Sequence, residues 1–425
     1  MVFWAFFAGA NQCFNRKMSK THSVTGRTQQ PDNHVPLIQS LLTSPTLPSK
    51  LPHVGTTVFT VMSRLAQEHN AVNLGQGFPD FPCSDELVSL VAQAMRDGHN
   101  QYAPMPGLMS LREAIAQKTE RLYGHAPDPE SEITVTSGGT EALYAAISAV
   151  VRPGDEVIVL EPCYDSYLPA IELNGGLPVC VPLRFTDFSI DFDLLRAAFT
   201  PRTKAVIINT PHNPTGTVLR QADMNQLANL LRDTNAFLIS DEVYEHIVFD
   251  GAAHESVLRH PALRERSFVV SSFGKTYHVT GWKLGYCVAP KALTTEFRKV
   301  HQYLTFSSFT PLQVALAAYL RRTDAYESLP AFYQQKRDFF TNLMQNTPFK
   351  LRPCAGSYFV LAEYGHLTDE NDYDYAIRLT KEIGVAAVPL SVFYREKTDN
   401  KLLRFCFAKR EKTLEKAVER LAKRL

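Results

Sequence analysis

The 425 residues carry 44 Lys plus Arg against 43 Asp plus Glu, so no overall field draws the chain to nucleic acid or to an anionic membrane. With 45% apolar and 11% aromatic residues the chain can bury a large core, and its length leaves room for more than one domain. Seven scattered cysteines without a C-x-x-C pair fit neither a disulfide framework nor a zinc site, and they suit a reducing compartment such as the cytoplasm.

In chain order, residues 1–31 stand apart. An apolar stretch (VFWAFFAGA, 2–10) is far too short to span a membrane and is followed by Arg16, Lys17, Lys20 and Arg27, with no acid before Asp32. A secretory signal would place its charges ahead of the apolar run. The composition suits an organellar transit peptide, a disordered tail, or a leader upstream of a start at Met18; the expectation taken forward is a disordered extension over 1–40.

From residue 132 short apolar runs alternate with helix-period segments. ITVTS (133–137), EVIVLEP (156–162), KAVIINT (204–210), AFLISDE (236–242), SFVVSS (267–272) and LGYCVAP (284–290) read as strands. They are nearly continuous apolar runs, as expected where helices cover both faces of a mostly parallel sheet. TEALYAAISAVV (140–151) and QADMNQLANLLRD (221–233) read as helices between them. Beyond, a helix (328–345), strands SYFVLAEY (357–364) and KLLRFCFA (401–408), and a closing helix from 411 suggest a smaller α+β domain. The expected fold class is therefore α/β: a large domain over 73–310, and a small one from 41–72 together with 311–425.

In such sheets ligands bind beyond the carboxyl ends of the strands, so the residues just after each strand carry the chemical argument. After ITVTS comes Ser137-Gly138-Gly139-Thr140 and then a helix, which is either a phosphate cradle or plain connection chemistry. It matches neither G-x-G-x-x-G nor the P-loop, which disfavours nucleotides. After KAVIINT, Asn213 lies between prolines, facing a ligand or closing an Asx-turn. After AFLIS come Asp241, which is costly to bury unpaired but also a good helix N-cap, and Tyr244, a ligand-facing phenol or a packing residue. After SFVVSS comes Lys275, a solvated loop charge or an amine held for covalent chemistry. A phosphate cradle, an acid, a phenol and an amine on one sheet edge are what pyridoxal 5′-phosphate requires.

Eight stretches carry a family resemblance in order: VNLGQGFPDFP (72–82), NQYAPMPGLMSLREAIA (100–116), VTSGGTEALY (135–144), EPCYDSY (161–167), NTPHNPTG (209–216), ISDEVYEHIVFDG (239–251), SFGKTYHVTGWKLGY (272–286) and LLRFCFAK (402–409). Through them the chain resembles the fold type I, class I/II aminotransferases that depend on pyridoxal phosphate. It is most similar to the branch of methionine aminotransferases and kynurenine aminotransferases (glutamine transaminase K, cysteine-conjugate β-lyase).

The resemblance implies roles. Lys275 bonds the cofactor and later moves the substrate proton, Asp241 pairs with the ring nitrogen, and Tyr244 and Asn213 meet the ring oxygen. Gly138, Gly139, Thr140, Ser272 and Lys283 take the phosphate, with Lys283 standing where many relatives have arginine. Tyr164 stacks on the ring, and Tyr102 reaches the phosphate of a neighbouring subunit, which implies a homodimer. Arg404, with the backbone at Gly77 and with Asn213, binds the substrate carboxylate; a structural salt bridge is the alternative for this arginine. No motif for a second, side-chain-reading arginine is present, and Phe78, Tyr303 and Phe306 suggest an apolar side-chain pocket or plain core. The implied activity is transamination between an L-amino acid with an uncharged side chain (methionine, glutamine or an aromatic such as kynurenine) and a 2-oxo acid. The alternative is β-elimination from a cysteine conjugate at the same site. A ligand-sensing regulator is disfavoured, since residues 1–40 are too few for a DNA-binding domain.

Overall fold

The apolar runs of the middle of the chain become a seven-stranded sheet in the computed structural model, which describes residues 47–424. The reading of 1–40 as a disordered extension, and the first residues of the expected small domain, lie outside the described residues. From Ser49 onward the chain packs as one unit.

The large sheet contains β1 (Ile133–Thr136), β2 (Glu156–Glu161), β3 (Leu177–Pro182), β4 (Thr203–Asn209), β5 (Phe237–Asp241), β6 (Ser267–Ser272) and β7 (Gly285–Val288), in the spatial order β1-β7-β6-β5-β4-β2-β3. The β2–β3, β2–β4, β4–β5 and β5–β6 ladders are parallel, whereas β7 runs antiparallel to both its neighbours. The continuous apolar runs have a direct cause. Ile158, Val206, Ile208, Leu238 and Val269 enter a core on one face, while Val157, Val159, Ala205, Ile207, Ile239 and Val270 enter a second core on the other. Alternate side chains point to opposite faces, so burial on both makes most positions apolar.

Strand β3 is absent from the sequence expectation. It is the sheet edge, Leu177 is half exposed, and Pro178 and Pro182 sit within it, which is where a strand tolerates proline and loses its apolar signature.

The later elements form a four-stranded sheet of β8 (Lys350–Leu351), β9 (Phe359–Glu363), β10 (Val388–Pro389) and β11 (Leu402–Cys406), ordered β10-β11-β9-β8 with antiparallel ladders. Helices Leu329–Met344 and Glu411–Arg424 pack together beside it, burying Phe340, Met344, Leu414 and Leu421. A short parallel pair, Val72–Asn73 with Val385–Ala386, ties the start of the unit to its end. Among the described residues no helix is long and apolar enough to cross a membrane.

Candidate active site

Strands β4 and β5 end in register, with Asn209 opposite Asp241, so both side chains arrive at the same sheet edge. Next to them β6 ends at Ser272 and turns at once into the short helix Phe273–Thr276 that carries Lys275. Beyond β1, Gly138 takes a φ of 84°, a left-handed value that strains any side chain, before helix Gly139–Val150 begins. A Cβ at Gly138 would lie 3.5 Å from Lys283 Nζ. These ends enclose a cavity of about 260 Å³.

Lys275, Asp241, Tyr244, Asn213, Gly138, Gly139, Thr140, Tyr164, Ser272, Lys283, Arg404 and Gly77 all line this cavity. The structure does not bring Tyr102 to it within one chain: that side chain is 81% exposed and packs edge-on against Phe306. Tyr303 is 91% exposed, and Phe78 and Phe306 are partly exposed, so within one chain these three are neither core nor lining. The apolar wall comes instead from Phe59, Leu143, Val243 and Phe359.

Lys275 Nζ donates to the Gly77 carbonyl at 3.1 Å and to the Tyr358 hydroxyl at 3.0 Å. Burial, reinforced by the Arg404 charge, brings its pKa down to about 8, so a useful fraction of the amine is neutral and nucleophilic near neutral pH. Asp241 is buried; its carboxylate accepts from the Tyr167 hydroxyl at 2.6 Å and from the Val243 N–H at 3.3 Å, both neutral donors. Burial outweighs these bonds and raises its pKa to about 6. Burial likewise lifts the Tyr244 phenol well above its ordinary value and the Tyr164 phenol to about 12.

Arg404 reaches the cavity from β11 and is only 1% exposed. Its Nη1 donates to Asn213 Oδ1 at 2.6 Å and its Nη2 to the Gly75 carbonyl at 2.8 Å, while Nε has no acceptor. The guanidinium lies 3.9 Å from the Phe359 ring centre, with Phe59 and Phe393 also beside it. The structural salt bridge is not formed, because both hydrogen-bond partners are neutral carbonyl oxygens. A buried cation with a free donor is a receptor for an anion.

Three residues that the sequence reading left without a role complete the geometry. Tyr167 holds Asp241, and Asn209 braces both neighbours, donating to the Asp241 carbonyl at 2.8 Å and accepting the Asn213 N–H at 2.8 Å. Tyr358 joins Lys275 to the Gly77 carbonyl. Asn209 and Tyr167 lie inside stretches already singled out; nothing local marks Tyr358, since Gly77 is 281 positions away.

The arrangement fits pyridoxal phosphate on its own terms. A buried carboxyl with only neutral partners sits above its ordinary pKa, and a protonated ring nitrogen against it would bring it back down. No side chain caps helix Gly139–Val150, whose first residues line the cavity beside Lys283, which leaves the positive end of the helix for a phosphate.

Comparison with known proteins agrees. Residues 69–421 match the family model for aminotransferase class I and II. The methionine aminotransferase of Escherichia coli is 55% identical over 380 residues, covering 89% of this chain and 98% of that protein. A probable N-succinyldiaminopimelate aminotransferase of Mycobacterium tuberculosis is 40% identical, covering 88% and 97%. A kynurenine–oxoglutarate transaminase of Dictyostelium discoideum is 34% identical, covering 91% and 98%. A crystal structure from Escherichia coli with an identified methionine aminotransferase function superposes with a TM-score of 0.87 at 55% identity, over 89% of this chain and all of that one. With the matched residues running through the cavity and the sheet that builds it, the chain belongs to the class I and II aminotransferases, enzymes that work with pyridoxal phosphate.

Proposed function

We propose that the chain transfers the amino group of an L-amino acid with an uncharged or aromatic side chain, methionine foremost, to a 2-oxo acid. The observation that carries this is the set of cations lining the cavity: Lys275, Lys283 and Arg404. Lys275 bonds the cofactor, Lys283 faces Gly138 at the phosphate end, and Arg404 takes the α-carboxylate. Among the described residues of one chain none is left to read a carboxylate on the side chain, and Phe59, Val243 and Phe359 offer apolar surface instead. The names of the Escherichia coli and Dictyostelium relatives support methionine and an aromatic substrate respectively, and neither supports the lyase alternative.

Pyridoxal phosphate, once bound, supplies an electron sink for negative charge at the substrate Cα. The chain's own residues do the rest. Asp241 holds a proton on the ring nitrogen, and Tyr167 keeps the carboxylate in place. Tyr244 and Asn213 hydrogen-bond the ring oxygen, and Tyr164 covers the ring face. Gly138, Gly139, Thr140, Ser272 and Lys283 surround the phosphate. Arg404, with Asn213 and the Gly77 backbone, orients the substrate so that Lys275 Nζ meets its Cα–H and takes the proton. The exposed Tyr102 reaches the phosphate of a second copy, which makes the working unit a homodimer. The free cysteines suit the cytoplasm. The division into a cofactor-binding domain (73–310) and a smaller domain (41–72 with 311–425) follows the two larger sheets.

The test is the visible spectrum of the holoenzyme with single amino acids, wild type beside Lys275→Ala. Methionine, glutamine or kynurenine should bleach the band of the lysine-bound cofactor, a 2-oxo acid should restore it, and Lys275→Ala should do neither. Aspartate reacting as readily as methionine would overturn the substrate reading.

A further inference from the structure

Four consecutive backbone carbonyls, Gly75 to Phe78, each accept a hydrogen bond from a cationic side chain. Arg404 takes Gly75 at 2.8 Å and Lys275 takes Gly77 at 3.1 Å. Lys409 Nζ takes the two in between and after, Phe78 at 2.6 Å and Gln76 at 3.4 Å, and it sits 4.8 Å from the centre of the Phe78 ring. Lys409 is 3% exposed, and its hydrogen-bond acceptors are neutral. Burying an ammonium against carbonyls alone is costly, so its place in the fold calls for a reason.

Arg404 and Lys275 are the groups assigned above to the substrate carboxylate and to the cofactor. Lys275 must exchange its loop carbonyl for the cofactor when the site fills, and Arg404 must share its donors between Gly75 and a carboxylate. Lys409 makes no such exchange. Its own position is fixed from outside the site, because Lys336 Nζ donates to its carbonyl at 3.0 Å. The neighbouring Arg410 N–H and Thr413 hydroxyl both donate to the Asp80 carboxylate at 2.6 Å.

We propose that Lys409 is a positioning residue for substrate binding: it holds the 76–78 loop, and with it the Gly77 backbone, against the carboxylate site while Arg404 and Lys275 are engaged elsewhere. The inference rests on the reading of Arg404 and Gly77 as the carboxylate site.

Lys409→Met keeps the stem and removes the clamp. Loss of hydrogen bonds to a charged group predicts a rise of about tenfold or more in KM for methionine and for its 2-oxo acid partner, with kcat within about twofold. The absorbance of the bound cofactor stays as in wild type, and Lys409→Arg restores most of the KM. In the cofactor-free protein the amides of 76–78 exchange hydrogen faster in Lys409→Met. For an amine substrate that lacks the carboxylate, the variant and wild type have the same KM. An unchanged KM in a folded Lys409→Met, or an equal loss on the carboxylate-free amine, overturns the proposal. If Lys409→Met does not fold, Lys409→Gln, which keeps one donor, is read by the same criteria. Arg404→Gln separates the two readings. If it leaves KM unchanged, the carboxylate site itself is wrong; if it raises KM while Lys409→Met does not, only the role of Lys409 falls.

Discussion

Tyr167→Phe removes one hydroxyl from beneath the cofactor site and leaves the ring in place. The bond it deletes is a 2.6 Å contact to a buried carboxylate, and Tyr167 is itself 2% exposed. A hydrogen bond to a charged group is worth about 1.5–3 kcal/mol net. The protonated acid keeps an ordinary bond of about 0.5–1.5 kcal/mol, so the two charge states differ by about 1–1.5 kcal/mol, roughly one pKa unit at 1.36 kcal/mol each. Asp241, already raised to about 6 by burial, should therefore move up by roughly one unit in the variant. A carboxyl whose folded-state pKa is raised contributes stability that is full below its ordinary value and is lost as the pH climbs through the folded value. In the variant that loss continues to higher pH. Cofactor-free Tyr167→Phe should be less stable than wild type by about 1.5–3 kcal/mol near pH 9, and by less near pH 5, where a protonated acid forms only an ordinary neutral bond. Chemical denaturation at the two pH values measures the difference, and the infrared carboxyl band of Asp241 follows its titration. An equal loss at both pH values, or an unmoved titration, would refute the argument that this phenol tunes the acid.

Two further outcomes are expected. In the cofactor-free protein the rate at which an amine-directed reagent modifies Lys275, followed by mass spectrometry, should rise through about pH 8 rather than near the ordinary lysine value; a midpoint near the ordinary value would contradict the burial argument. Lys118→Met should cost about 3–5 kcal/mol in denaturant titrations, because Lys118 and Glu245 form a buried pair at 2.6 Å. Burial opposes the Glu245 charge, and Lys118 is the main group holding its pKa far below the usual carboxylate range. Pairing the change with Glu245→Gln should recover much of the loss, and a double variant no better than the single would argue against a stranded charge.

Much of the fold was legible because its sheet is buried on both faces. The runs at 156–161, 203–209, 237–241 and 267–272 could be read as strands because burial on both faces keeps most of their central positions apolar. Strand β3 was not, since an edge strand with prolines and exposed positions resembles a loop. The candidate site was legible for the related reason that the groups lining it follow strand ends: Asp241 closes β5 and Lys275 follows β6. The aromatic pocket expected from Phe78, Tyr303 and Phe306 does not form within one chain, because composition does not say which way a side chain points.

By itself the sequence determined which residue types stand at the sheet edge, because strand periodicity and the turns that follow it are local properties of the chain. Only the tertiary structure decided their partners. Asn213 and Arg404 lie 191 positions apart, and Gly77 and Tyr358 lie 281 apart. Contacts of that kind arise when separate sheets and loops pack, and no local pattern records them. The same packing sets the charge state of the site, for Asp241 near 6 and Lys275 near 8 owe their values to burial, which a residue acquires only from the segments folded around it.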